Sequence, residues 1–273
     1  MVKTHLLDYF EETAIKNESK IAVKHNENKI SFVDLKNKSK KLATHLLSCV
    51  GDSINKPIAV FLPKEINTVI ADLAIMYSSN PFMNLDIKTP RERIMNIVEL
   101  VKPVLIITNK KYSSMLQNIK LPVVLIDEVD WDTMATDTVR LLSRKRSLID
   151  TDPFCLINTS GSTGTPKAVV LNHRSFIDFI LVSNERFNFN GNEIMGSLSP
   201  VIFDIYDFEL CMLMVKGSQI ILLDAMLAAF QEFTDKKVVN RGKKPSVLAK
   251  LQKIKELLAS ISPAKEKRRE RER

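Results

Sequence analysis

Glycine is scarce in this chain, seven among 273 residues. The backbone therefore has few positions at which it can enter left-handed conformations or let a ligand approach the main chain closely. Two of the seven, Gly161 and Gly164, fall inside one ten-residue stretch, NTSGSTGTPK, from Asn158 to Lys167. Cysteine is scarce too. Cys49, Cys155 and Cys211 are odd in number and far apart, which argues against a disulfide framework. Each stands in an apolar neighbourhood and reads as a buried free thiol. The four histidines (His5, His25, His45, His173) are scattered and no Cys/His spacing matches a zinc site, so no metal centre is expected from them. No apolar run reaches membrane-spanning length, and MVKTHLLDYFEETA carries acidic residues where a signal peptide needs an apolar core. These absences lead to the expectation of a cytoplasmic protein without a membrane partner.

What is present is 45% hydrophobic and 26% charged residues, enough for a sizeable core in one large or two ordinary domains. The net charge of +8 is not spread evenly. Residues 236 to 273 hold 14 Lys/Arg against four Glu, a balance of +10 that leaves −2 for residues 1 to 235. The body is near neutral, so the charge says nothing of its function, and the tail has no aromatic interleaving of the kind that accompanies nucleic-acid binding. A nucleic-acid partner is not expected.

Strand-like and helix-like segments alternate, which predicts an α/β fold with mostly parallel sheets flanked by helices. SFVDLKNKSKKLATHLL opens with Ser31 and Asp34 in capping-box spacing, and Leu35, Leu42 and Leu46 then share a helical face. PIAVFL, bounded by Pro57 and Pro63, predicts a buried strand, and INTVIADLAIMY a helix. TPRERIMNIVELVKP predicts a helix between Pro90 and Pro103, followed by the strands VLIIT and VVLID. The charged stretch from Asp127 to Asp150 reads as a linker. Beyond it, FCLIN predicts a strand running into the glycine stretch, AVVL another, SFIDFILVSNERF and DFELCMLMVK helices, and QIILLD a last strand. After Asp224 the pattern becomes lysine-rich and amphipathic, and PAKEKRRERER reads as disordered or as a frayed helix.

A loop that leaves a buried strand with two glycines and five hydroxyls (Thr159, Ser160, Ser162, Thr163, Thr165) offers N–H and O–H donors to a phosphate chain, with Lys167 as countercharge. It is not a Walker A loop, because Pro166 and Ala168 flank the lysine. On composition alone a polar turn between two strands is an equal reading.

TSGSTGTPKAVVLNHRSF resembles the signature loop of the adenylate-forming (AMP-binding) superfamily, whose members activate carboxylates with ATP. ISFVDLKNKSKKLA, IAVFLPKEINTVIADLAIMYSSNPFMNLDIKTPRERI and SPVIFDIYDFELCMLMVKGSQIILLD are similar to further motifs of that family, in the same order. The segment FDIYDFE resembles the amino-acid-activating branch, the adenylation domains of nonribosomal peptide synthetases and D-alanine carrier-protein ligases. The resemblance implies that residues 1–224 are a partial adenylation domain, followed by a divergent helical segment 225–262 and a basic tail 263–273. It further implies that Thr159, Ser160, Gly161, Ser162, Thr163, Gly164, Thr165 and Lys167 hold the β- and γ-phosphates of ATP, accompanied by Mg2+. Asp204 then pairs with a substrate ammonium as a buried carboxylate, or else serves as a helix N-cap, while Ile205 and Phe208 line the side-chain pocket or belong to the core. Phosphopantetheine on a carrier protein is the implied acceptor.

Ala168, Tyr206 and the stretch SSNPFMNLD depart from the family pattern, which has glycine after the lysine, a small residue after Phe-Asp-x, and glycine and proline in the second motif. No Tyr-Gly-Pro-Thr-Glu or Thr-Gly-Asp segment and no equivalent of the C-terminal lysine is found in the sequence. The expectation is a truncated chain that is weak or inactive alone. The alternatives are a non-catalytic nucleotide- or carrier-binding remnant and a fragment of a fatty-acid or aryl-acid ligase. No catalytic residue is assigned.

Overall fold

The protein is described by a computed structural model over residues 3–160 and 166–223. The contacts divide the chain into a unit Met1–Met226 and a unit Leu227–Arg273, and every described element belongs to the first. The helical segment and basic tail expected over 225–273 lie outside the described residues.

The chain begins with α1 (Leu6–Lys16), the strands β1 (Ile21–His25) and β2 (Asn28–Ser31), and α2 (Phe32–Val50). β3 (Ile58–Val60), α3 (Ile66–Tyr77), β4 (Phe82–Asn84), α4 (Arg91–Val101) and β5 (Leu105–Thr108) follow. Next come the one-turn α5 (Lys110–Ser113), β6 (Val123–Leu125), α6 (Thr138–Arg146), β7 (Pro153–Ser160) and β8 (Pro166–Asn172). α7 (His173–Phe187), β9 (Ile194–Ser197), α8 (Asp204–Lys216) and β10 (Gln219–Leu222) complete it. Two sheets form, one in the order β2-β1-β10-β9 and one in the order β6-β5-β3-β4-β7-β8. All pairings are parallel except the hairpins β1/β2 and β7/β8.

Local chemistry accounts for the boundaries. Ser31 Oγ accepts the Asp34 N–H at 3.1 Å and starts α2, and Leu35, Leu42 and Leu46 are buried on its inner stripe. Pro90 stands at the N-cap of α4. Lys102 ends that helix in the left-handed region, just before Pro103. The six-stranded sheet is apolar on both faces because both are covered. Ile58, Val60, Phe82, Leu105 and Ile107 enter the larger core with the inner faces of α2, α3 and α8. Ala59, Phe61, Met83 and Ile106, one residue out of phase, enter a smaller core with Ile94 and Ile97 of α4.

Two expectations are corrected, those for Cys49 and for the stretch 127–150, while AVVL forms a strand as expected. It pairs antiparallel with β7, in the register Leu156↔Val170, Ile157↔Val169, Asn158↔Ala168 and Thr159↔Lys167. Cys155 and Cys211 are buried, but Cys49 is exposed, because the 3.6-residue period places position 49 off the stripe that buries Leu42, Leu46 and Leu47. The stretch 127–150 is no plain linker, since it contains α6, whose N-cap Asp137 accepts the Arg140 N–H. The reason α6 forms here is Arg144. The residue is 7% exposed, and its guanidinium donates to the carbonyls of Ser78 (3.1 and 3.0 Å), Gly51 (3.3 Å) and Ser53. It thereby satisfies main-chain oxygens at and just beyond the ends of α2 and α3 that those helices leave unpaired.

Removing a donor shared by several buried carbonyls is expensive. Arg144→Ala is expected to lower unfolding stability by about 3 kcal/mol, measured by urea denaturation. Arg140→Ala, which breaks an exposed contact to Asp52 at 3.4 Å, is expected to cost much less. Equal losses in the two variants would refute the role given to Arg144.

Candidate functional site

The glycine-rich stretch leaves from the end of β7 and returns at the start of β8, with Ser160 opposite Pro166 and Thr159 opposite Lys167. Thr159 and Lys167 are both exposed, and Thr159 Oγ1 donates across the ladder to the Lys167 carbonyl at 3.5 Å. A hydroxyl and an ammonium thus flank the two ends of the stretch, a donor set suited to an anion. Gly161, Ser162, Thr163, Gly164 and Thr165 lie outside the described residues, and Ser160 is described as part of β7 only. An open groove of about 500 Å³ lies alongside Lys167, lined by Leu100, Val101, Leu156 and Ala168.

Asn158 was missed by sequence reasoning. Both of its amide atoms are buried without a hydrogen-bond partner among the described residues, an arrangement that disfavours the folded state unless a ligand or water engages them. The available signal was its place as the first residue of the stretch.

The second group of expected residues sits at the head of α8. Phe203 is the N-cap and has no side-chain bond, and Asp204 is the first helical residue. The helix-cap role for Asp204 is therefore not adopted. Its carboxylate is exposed, which removes the argument from a buried carboxylate, and among the described residues no hydrogen bond or ion pair engages it. The head of α8 still favours an anion there through the aligned peptide dipoles. Ile205 is 54% exposed and so does not belong to the core. Phe208 is half-buried, packs against the larger core and meets Phe179 of α7 edge-on at 5.5 Å. The loop before the helix is held by Lys64, whose Nζ donates to the carbonyls of Ser197 (3.0 Å) and Ser199 (3.3 Å).

Behind that exposed face the same helix buries acids, which sequence reasoning also missed. Tyr206 Oη donates to Asp72 Oδ2 of α3 at 2.6 Å, and Asn84 Nδ2 of β4 donates to the same oxygen at 3.2 Å. Burial pushes the Asp72 carboxyl up to about 7, against the opposing pull of those two bonds. Asp72 Oδ1 has no partner. Asp207 is raised well above the carboxylate range, first by burial and then by the charge of Asp72, and it accepts the Cys155 thiol at 3.5 Å. Glu209 is raised by burial, with a Ser197 hydrogen bond and the Lys64 charge opposing. The Cys155–Asp207 contact ties β7, which leads into the glycine stretch, to the helix that begins at Asp204. Among the described residues no group of three or more His, Cys, Asp or Glu is arranged to hold a metal ion, and no helix is long and apolar enough to cross a membrane.

Comparison with known proteins gives a consistent family. The sequence profile of the AMP-binding enzyme family matches residues 10–255. Tyrocidine synthase 1 of Brevibacillus parabrevis is 26% identical over 230 residues, covering 82% of this chain and 21% of that protein. The anguibactin system regulator of Vibrio anguillarum is 25% identical over 251 residues, 90% of this chain and 23% of that protein. Among solved structures, VinN superposes with a TM-score of 0.69 at 19% identity, covering 81% of this chain and 60% of that one. VinN with L-aspartate gives 0.70 at 20% identity, over 84% of this chain and 59% of that one. The chain thus spans about a fifth of these two sequence relatives and about three fifths of the solved one.

The buried acids generate a pH test. Asp72 holds a proton in the folded state up to about pH 7 but loses it near its ordinary value of 3.8 when unfolded. Its contribution to stability therefore declines as pH rises between those values. His173 works in the opposite sense. Burial lowers it to about 3, so its contribution rises with pH up to about its ordinary value of 6.5. Asp72→Asn removes the first effect, relieves Asp207 of the neighbouring charge in the same direction, and leaves the effect of His173 in place. Between pH 5 and 7 the urea midpoint of Asp72→Asn is expected to rise relative to wild type, and parallel pH curves for the two proteins would contradict the assignment.

Proposed function

The chain belongs to the AMP-binding enzyme family, and from that premise we propose that it serves the ATP-dependent activation of a carboxylic acid, specifically an α-amino acid, as an acyl-adenylate destined for a carrier-protein thiol. The observation that carries the amino-acid part is Asp204. An exposed carboxylate with no bond to its own helix and no cationic partner among the described residues is available to a substrate ammonium. The similarity to tyrocidine synthase 1 and the capture of L-aspartate by VinN are in keeping with an amino-acid substrate.

In the proposed reaction a substrate carboxylate oxygen attacks the α-phosphorus of Mg-ATP. The bond to the bridging oxygen breaks, leaving acyl-adenylate and pyrophosphate. A phosphopantetheine thiol then attacks the acyl carbon and releases AMP, its proton passing to solvent or a base. Lys167 holds and neutralises the departing pyrophosphate, and the hydroxyl of Thr159, turned away from the Lys167 carbonyl, adds a donor together with Ser160 and residues 161–165. Asp204 orients the amino acid, and Ile205 and Phe208 border its side chain. Mg2+ enters with ATP, and no described residue is assigned to it. The setting is cytoplasmic in this reading. Because the sequence holds neither the Tyr-Gly-Pro-Thr-Glu and Thr-Gly-Asp segments of the family nor an equivalent of its C-terminal lysine, the 273-residue chain by itself is proposed to turn over weakly.

The test is a ligand screen on the purified chain by saturation-transfer NMR, with ATP and the common amino acids. ATP should bind, and Lys167→Ala should weaken it about tenfold, the size of one charge-assisted contact. At least one amino acid should bind better than its des-amino analogue, with the difference lost in Asp204→Ala. Equal binding of the analogue would favour a fatty-acid or aryl-acid ligase instead. Robust amino-acid-dependent pyrophosphate exchange would overturn the proposed weakness.

A further inference from the structure

We propose that Tyr206 is a positioning residue for the substrate end of α8, and that the buried pair Asp72 and Asn84 acts through it to fix where Asp204 and Ile205 stand. The proposal rests on the amino-acid reading of Asp204 given above.

The head of α8 lacks the hold that helices commonly have. Its N-cap is Phe203, which has no side-chain acceptor, and no side-chain bond reaches the first N–H groups. Backbone contacts from Phe203 N–H to the Pro200 carbonyl (3.2 Å) and from Tyr206 N–H to the Phe203 carbonyl (3.0 Å) shape the turn. Such a turn frays unless tertiary contacts retain it. Tyr206 supplies the contact. Its ring is fully buried and its oxygen is tied to Asp72, itself fully buried and also engaged by Asn84.

A tyrosine side chain has only two main torsions, so a fixed ring and a fixed oxygen leave its Cα little freedom. Asp204 and Ile205 are the two residues immediately before it on the same turn, and both face solvent. The buried end of the turn therefore determines where the exposed end points. α3 and β4 contribute the acceptor and a second donor from two elements of the same core, so the hold is referred to the sheet and not to the loop. Asn84 and Tyr206 meet on one oxygen of Asp72.

Tyr206→Phe keeps the ring and removes only the oxygen, which separates positioning from packing. In the full chain, amide hydrogen exchange at positions 206, 207 and 208, whose bonds close the first turn, should accelerate about tenfold, the size of one lost hydrogen bond. The amides of Leu210 to Val215 should stay within about twofold. Asp72→Asn keeps an acceptor for the phenol and should retain wild-type protection, whereas Asp72→Leu should reproduce the effect of Tyr206→Phe. Unchanged exchange in Tyr206→Phe, or acceleration along the whole helix, would overturn the proposal without bearing on the substrate reading. In the ligand screen, the amino acid that binds wild type should bind Tyr206→Phe at least about fivefold more weakly, with ATP binding unchanged. Unaltered amino-acid affinity would overturn the positioning role, and a wild-type chain that binds no amino acid would overturn its functional half while the exchange result still decides the pin.

Discussion

A parallel sheet has to be covered on both faces, and that constraint organises everything described here. Between Ile58 and Ile107 successive residues turn alternately to a core beneath α2, α3 and α8 and to a core beneath α4. No face of this sheet centre is left to water. Exposed polar side chains are consequently left at strand ends and helix heads: Thr159 and Lys167 where β7 ends and β8 begins, and Asp204 at the start of α8. The two candidate groups lie at such places, and a buried contact from Cys155 to Asp207 joins the elements that carry them.

The larger core accepts polar groups against the general preference for apolar contents. Asp72, Asn84, Tyr206 and Asp207 are all buried, and Asp72 Oδ1 and Asn84 Oδ1 are without partners. The raised carboxyls offset part of that cost, since a neutral acid is far easier to bury than an ion. What remains of the cost is accepted at the root of α8. That location is consistent with local stability being sacrificed beside a working surface.

Much of the fold was legible because its signals are short-range. The Ser31–Asp34 cap, the proline-bounded strand at 58–60 and the helix at 66–77 each follow from spacing within a dozen residues. The antiparallel return of β8 was not legible, because AVVL carries the same apolar signal in either direction. α6 was hidden for a related reason. Its defining partner, the carbonyl cluster around Gly51, Ser53 and Ser78, is distant in sequence from Arg144. The motif order singled out Thr159, Lys167 and Asp204 as candidates, but gave neither the exposure of Asp204, nor Asn158, nor the acids behind the helix. Those properties depend on which face of an element turns inward, and α8, with eight of its residues buried, gives no periodic hint of it.

The hairpin of β7 and β8 has one more consequence. β8 is the edge of its sheet among the described residues, and it exposes Val169 (45%) and Val170 (59%) side by side. An uncovered β-branched edge is a template on which another strand can add through main-chain hydrogen bonds. Pro166 and the charge of Lys167 at its start are the gatekeepers within the strand. In the proposed function the same lysine meets a phosphate, so that neutralising its charge there would also remove a guard against self-association.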